Sequence, residues 1–287
     1  IPPVVRVAGW CGAYGWVVEF RVLGPLEVYS DDTLVHVGGV KQRSILALLI
    51  AHRGEVVSTD RIVDEVYGDE AAVGARRSVQ TIVSMLRRDL GDVIVGSGGG
   101  YRFDAARSVV DVYRFEDLVA AGLDSLRDNS DCASLRLGDA LGLWRGDPYS
   151  DVEARGVFQA EIARLDELRF TALEARIEAD LACGRHRQLV AELEALVADY
   201  PLRERLWAAL MLALYRVGRQ ADALAAYQRA RTVLGEELGL EPSVELRELE
   251  EQILAAEVAG IGRPDLYVGS WSEWSSADRP IATGSHP

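Results

Sequence analysis

Between positions 76 and 88 the chain places Arg76, Arg77, Gln80, Thr81, Ser84, Arg87 and Arg88, four guanidinium groups, an amide and two hydroxyls, and no acid occurs until Asp89. Arg77, Thr81, Ser84 and Arg88 recur at i, i+4, i+7 and i+11, the interval of one helical face. Val79, Val83, Leu86 and Leu90 repeat that interval about half a turn away, so a helix over 76–90 would bury one stripe and present the other. The presented face suits a major groove, where Arg reads guanine O6 and N7, Gln pairs with adenine and hydroxyls hold phosphate oxygens. A merely solvated face has a similar composition, so the choice turns on what stands beside the helix.

Beyond the helix the chain runs through Val93-Ile94-Val95, five residues from Gly96 to Gly100 that are all Gly except Ser97, and Tyr101-Arg102-Phe103. This pattern predicts a β-hairpin with a flexible tip, and a hairpin beside a reading helix is a wing. Arg102 on such a wing would lie against the sugar-phosphate backbone. A nucleotide-binding glycine loop needs a helix after it, and here a strand comes next. Upstream, residues 19–29 and 33–37 read as short antiparallel strands, Ser44 to His52 as a helix closed by Gly54, and Ser58 as the cap of a second helix ending before Gly68.

Other chemistries find little support. The four histidines, His36, His52, His186 and His286, form no motif, and Cys11, Cys132 and Cys183 lie far apart without metal-ligand spacing. Thirty of the 31 basic residues are Arg, so Lys41 is the single lysine and a phosphate-binding GxxxxGK loop is excluded. These features argue against an enzyme, a metal site and a cofactor. No apolar run approaches a membrane span and the opening residues lack a signal-peptide pattern, so no membrane association and a cytoplasmic location are expected. The net charge of −14 is unevenly spread: residues 19–108 hold eleven basic against thirteen acidic groups, residues 109–287 nineteen against thirty-two. A near-neutral first segment binds phosphate if its arginines gather on one side.

Several stretches together resemble the Streptomyces antibiotic regulatory proteins: EFRVLGPLEV at 19–28, Lys41-Gln42-Arg43 with LALLIAHRGEVVSTDRIVDEVYGDE downstream, SVQTIVSMLRRDL at 78–90, GYRF at 100–103 and ALGLWRGDPY at 140–149. The resemblance implies an OmpR-type winged helix joined to a bacterial transcriptional activation domain with tetratricopeptide-like helices. It further implies an activator of secondary-metabolite (antibiotic) biosynthesis that binds direct repeats near the promoter −35 element as paired protomers or a homodimer, and that recruits RNA polymerase including its sigma factor. Carried onto this chain, the reading helix spans 76–90, with Arg77, Gln80, Thr81, Ser84 and Arg88 facing DNA and Arg102 on the wing. Ile82, Met85 and Tyr67 depart from the residues usual at their places in that family.

From Arg114 the pattern is helical almost to Gly260. Cys183-Gly184-Arg185 and Val217-Gly218-Arg219 lie 34 residues apart, and Leu181/Tyr215, Val190/Leu224 and Leu193/Tyr227 keep that offset, the tetratricopeptide period. Acids at 161, 166, 167, 174, 178, 180, 192, 194 and 199 suggest a surface for a basic protein partner, although solvated helix faces look the same. Trp144 to Pro148 reads as a loop between helices anchored by a packed Trp. The expected organisation is therefore mixed: an N-terminal extension at 1–18, an α/β winged-helix domain at 19–109, an all-α repeat domain at 110–259 and a Gly-, Ser- and Pro-rich tail at 260–287, in which a WSxWS match is a coincidence. A repeat scaffold that binds protein without reading DNA is the competing function.

Overall fold

The computed structural model describes residues 18–68, 74–152 and 156–258. Expectations for residues 1–17, for the loop beginning at Asp69 and for the tail with its Trp271 and Trp274 lie outside the described residues. Two compact units emerge, one running through Ala121 and including Arg136–Ala172, the other comprising Gly122–Leu135 and the chain from Leu173.

In the first unit, β1 (Val18–Arg21), β2 (Glu27–Ser30) and β3 (Thr33–Val35) form an antiparallel meander in the order β1-β2-β3. Helix α1 (Val40–Ala51) is next, starting four residues before the expected Ser44 because Gly39 opens it while the apolar run begins only at Ile45. Residues Ser44 to Ala51 are buried without interruption, so α1 is the central helix of this unit rather than a surface one. β4 (Val57–Ser58) leads into α2 (Thr59–Tyr67), whose cap is the expected Ser58: its Oγ accepts the Arg61 N–H at 3.2 Å. Then come α3 (Ala75–Leu90), β5 (Ile94–Ser97) and β6 (Gly100–Phe103), the strands making a second sheet of order β4-β6-β5. Phe20 and Phe103 meet edge to face at 5.0 Å, which ties a strand of each sheet into one core.

Val110, expected as the crossing between domains, bridges Phe20 in parallel, and α4 (Asp111–Ser125) starts immediately after it. α5 (Ser130–Leu141) and α6 (Val157–Ala182) complete the first unit's helical contribution and supply the beginning of the second. In the second unit α7 (His186–Asp199), α8 (Glu204–Arg216), α9 (Gln220–Leu238) and α10 (Val244–Val258) pack around Leu193, Leu210, Met211, Leu214, Ala226 and Ala230. The 34-residue period is visible in hydrogen bonds. Gly184 N–H donates to Leu181 and Arg185 N–H to Asp180, while Gly218 donates to Tyr215 and Arg219 to Leu214, all between 2.8 and 3.1 Å. Gly184 and Gly218 take left-handed φ values of 77° and 85°, which closes α6 and α8 alike. The alanines at 223, 226 and 230 let α9 approach its neighbours closely, as a stacked repeat requires.

Candidate nucleic-acid interface

Helix α3 buries Ala75, Val79, Val83, Leu86 and Leu90 and nothing else, the single stripe its sequence pattern requires. Arg76, Arg77, Gln80, Thr81, Ser84 and Arg88 are exposed. Thr81 and Ser84 hydroxyls donate to the carbonyls of Arg77 and Gln80 one turn back, at 3.0 and 2.9 Å, so each keeps an acceptor lone pair facing outward. Met85, half-buried, accepts a hydrogen bond at its sulfur from the Gln42 amide at 3.4 Å, which joins α3 to the start of α1.

The arginines differ from one another. The Arg77 guanidinium has no hydrogen-bond or ion-pair partner among the described residues. Arg76 pairs with Asp60 on α2. Arg88 pairs with its neighbour Asp89 at 2.8 Å, and that hydrogen bond raises the guanidinium's pKa above its ordinary value. Arg102 pairs with Asp104 at 2.9 Å. All these pairs are exposed and screened by solvent, so a phosphate can displace the carboxylate. Arg87 is turned away from this face, its Nε donating to the Ile94 carbonyl at 2.7 Å.

The wing is built for close strand approach. Gly98 and Gly99, at φ 54° and 87°, form a two-residue tip of the type that matches strand twist. A Cβ on Gly100 would stand 2.2 Å from the Val57 carbonyl, so only glycine permits β4 to pair with β6 there. Thr59, at the start of α2, donates both its N–H and its hydroxyl to the Gly99 carbonyl, at 3.2 and 2.9 Å. Sequence reasoning missed β4, Thr59 and the paired acids Asp60 and Asp104. A two-residue strand carries no periodicity, and those partners are set by tertiary proximity alone.

The loop after α5 is part of the reading unit's support. Arg145 N–H donates to Leu23 O at 2.8 Å and Tyr149 N–H to Val22 O at 3.0 Å, while Asp151 accepts the Leu26 N–H at 2.8 Å. Arg145 also pairs with Glu27, and Arg43 of α1 with Asp151. Asp111, at the first residue of α4, accepts the N–H groups of Val22 and Leu23 as well as its neighbour Val112, at 2.7 to 3.0 Å. The turn between β1 and β2 is thus held by residues far downstream. Trp144 is packed, edge to face on Phe115 at 5.4 Å and under the Arg169 guanidinium at 4.6 Å. Its loop straps the first sheet instead of only joining two helices.

A further tie runs through Arg53, held in the left-handed region at φ 55° just beyond α1. It donates to Glu116 on α4 and Glu161 on α6, both at 2.7 Å, and Arg164 closes the ring onto the same two acids. Burial alone would push the Glu116 carboxyl up, but the guanidiniums of Arg53 and Arg164 outweigh it and hold the group below its usual value. At least five of the nine acids expected to form a partner surface are engaged inside their own unit: Glu161 here, Glu174 with Arg205, Asp180 with Arg176 and Arg185, Glu192 with Arg176, and Glu194 with Arg229. Glu161 and Asp180 are buried. These paired acids contribute less to an outward acidic surface than their number suggests, although the excess of acid over base in residues 109–287 remains. Among the described residues no group of three His, Cys, Asp or Glu side chains is placed to hold a metal ion, and no helix is long and apolar enough to cross a membrane.

A helix with one buried stripe and one exposed guanidinium, amide and hydroxyl face, flanked by a hairpin sheet, defines a DNA-binding regulator of the winged-helix class. Residues 37–103 match the family described as transcriptional regulatory protein, C terminal, and residues 110–254 match the bacterial transcriptional activator domain. The regulatory protein DnrI of Streptomyces peucetius is 39% identical over 259 residues, which cover 86% of this chain and 95% of DnrI. The regulatory protein AfsR of Streptomyces coelicolor is 39% identical over 246 residues, 84% of this chain but 25% of AfsR. The solved structure of Mycobacterium tuberculosis EmbR in complex with a low-affinity phosphopeptide superposes with a TM-score of 0.79 at 35% identity, covering 84% of this chain and 65% of that one. The chain belongs to the Streptomyces antibiotic regulatory protein family of transcriptional regulators.

Proposed function

We propose that this regulator activates secondary-metabolite (antibiotic) biosynthesis genes by seating α3 in the major groove of direct repeats near a promoter −35 element. Paired protomers on those repeats recruit RNA polymerase through its sigma factor, work that belongs in the cytoplasm. In this reading residues 19–109 supply DNA recognition and 110–259 the activation surface. Arg77 and Gln80 read base edges. Thr81, Ser84, Arg76 and Arg88 take phosphates or neighbouring bases, and Arg102 takes the backbone beside the wing.

The observation that carries the reading is the exposed face of α3, whose Arg77 has no partner among the described residues while the opposite stripe is fully buried. Kinship with regulatory proteins of Streptomyces supports the choice of target genes. The test is a binding series on a duplex that the full chain selects from a random-sequence pool. Affinity is expected to fall steeply with salt, and Arg77→Ala to cost about 1–3 kcal/mol and relax preference at one base position. Affinity indifferent to both changes would favour the protein-binding scaffold. In transcription assays with purified polymerase and sigma factor, stimulation should require the repeats on the template.

A further inference from the structure

Arg87 belongs to the stretch that the sequence offers as a reading surface, yet its side chain is spent elsewhere. Its Nε donates at 2.7 Å to the carbonyl of Ile94, on β5, the strand at the open edge of the wing sheet. Its guanidinium carbon stands 5.8 Å from the centre of the Tyr101 ring, on β6. A Cβ on Gly96 would come within 3.5 Å of its Nη2, so the glycine leaves the guanidinium room beside β5. One side chain of α3 therefore reaches both strands of the wing. Arg76, Arg88 and Arg102 instead pair with carboxylates, and those pairs are exposed.

Register makes the arrangement consequential. Val95 lies opposite Arg102 and Gly96 opposite Tyr101, so the strand positions that Arg87 grips flank the wing's own cation. We propose that Arg87 is a positioning residue: it fixes the wing against α3 and so sets where Arg102 meets the DNA backbone, without itself touching a base. The inference rests on the DNA-binding reading above and divides its residues into groups that touch the duplex and one that aims another. A charge-assisted donor to a strand carbonyl and a cation near a ring form a directional tie from α3 to β5 and β6, whereas the β4 pairing and the Thr59 hydrogen bonds hold only β6 and the tip.

The test has two arms on the full chain. In the absence of DNA, Arg87→Leu keeps the aliphatic stem and removes the donor, and amide hydrogen exchange in β5 and β6 should accelerate while that of α1 and the second unit stays unchanged. Unaltered exchange in the wing overturns the tie whatever the DNA result. On the selected duplex, Arg87→Leu should weaken binding about tenfold, the effect should largely vanish when Arg102 is already Ala, and it should remain full when Arg77 is already Ala, because only coupled groups depart from additivity. Full additivity with Arg102→Ala, or relaxed preference at one base position, makes Arg87 a direct contact and overturns the proposal. If Arg87→Leu unfolds, Arg87→Gln enters the same cycle. A wild-type chain that binds no duplex, with wing exchange still accelerated by the substitution, defeats the DNA reading and leaves the tie standing.

Discussion

Asp111 is 2% exposed, and burial pushes its carboxyl up from 3.8 to about 6, against the lowering effect of the N–H groups of Leu23 and Val22, of Arg145 and of the Val112 N–H. The folded chain therefore holds a proton that the unfolded chain releases between these values. Stability from this group is complete below the ordinary carboxyl value and is lost as pH rises through about 6. A displacement of about two units corresponds to about 3 kcal/mol between pH 4 and 7. Asp111→Asn cannot titrate, and it turns an NH2 group towards backbone donors. One or two N–H groups among Val22, Leu23 and Val112 are then left unmatched, at about 1–3 kcal/mol each. The variant should thus be destabilised most at acid pH, and the gap to wild type should narrow by about 3 kcal/mol towards neutrality. Urea unfolding at pH values across that window, together with exchange of the Val22 and Leu23 amides, measures it. A gap that stays constant, or that widens towards neutral pH, refutes the reasoning.

Three further outcomes are expected. Asp104→Asn frees Arg102 from a pair whose side chains are 42% and 54% exposed, and should tighten DNA binding severalfold at low salt, with the gain fading as salt rises; fluorescence anisotropy titrations read this out. Gly100→Ala should separate β4 from β6 and cost several kcal/mol, since its Cβ meets a strand carbonyl rather than a movable side chain; thermal unfolding checks it. A fragment ending at residue 109 should lack cooperative unfolding, because the turn between β1 and β2 loses Asp111, Arg145, Tyr149 and Asp151, whereas a fragment ending at 172 should retain it; both are separable by circular dichroism and urea titration.

Helix α3 was legible because its two stripes differ in chemistry and one helical period resolves them, and Ser58 because a capping hydroxyl precedes an apolar run. The repeat was legible because stacked helix pairs must reuse the same small and apolar positions at one interval. The rest was hidden for reasons that are equally physical. Val57 and Ser58 pair with residues more than forty positions away, so no local pattern marks them as a strand. The first turn of α1, an exposed Val40 followed by Lys41, Gln42 and Arg43, precedes its apolar run, so periodicity starts late. A carboxylate such as Glu161 or Asp180 reads as surface until the guanidiniums that accompany it inward are located in space. Arg87 illustrates the same limit, because residue type and helical angle place it on the flank of the reading face while its side-chain torsions send it to the wing.

The strap over the first sheet bears on how such regulators exchange parts. Grafting this chain's DNA-reading half onto a foreign activation segment preserves the hairpin bend at 22–26 only if the incoming segment brings a carboxylate at the place of Asp111 and a loop whose backbone and acid can replace Arg145, Tyr149 and Asp151. The seam between the two matched families at residues 103 and 110 is therefore a poor crossover point. Chimeras joined beyond residue 152 carry their own buttress with them.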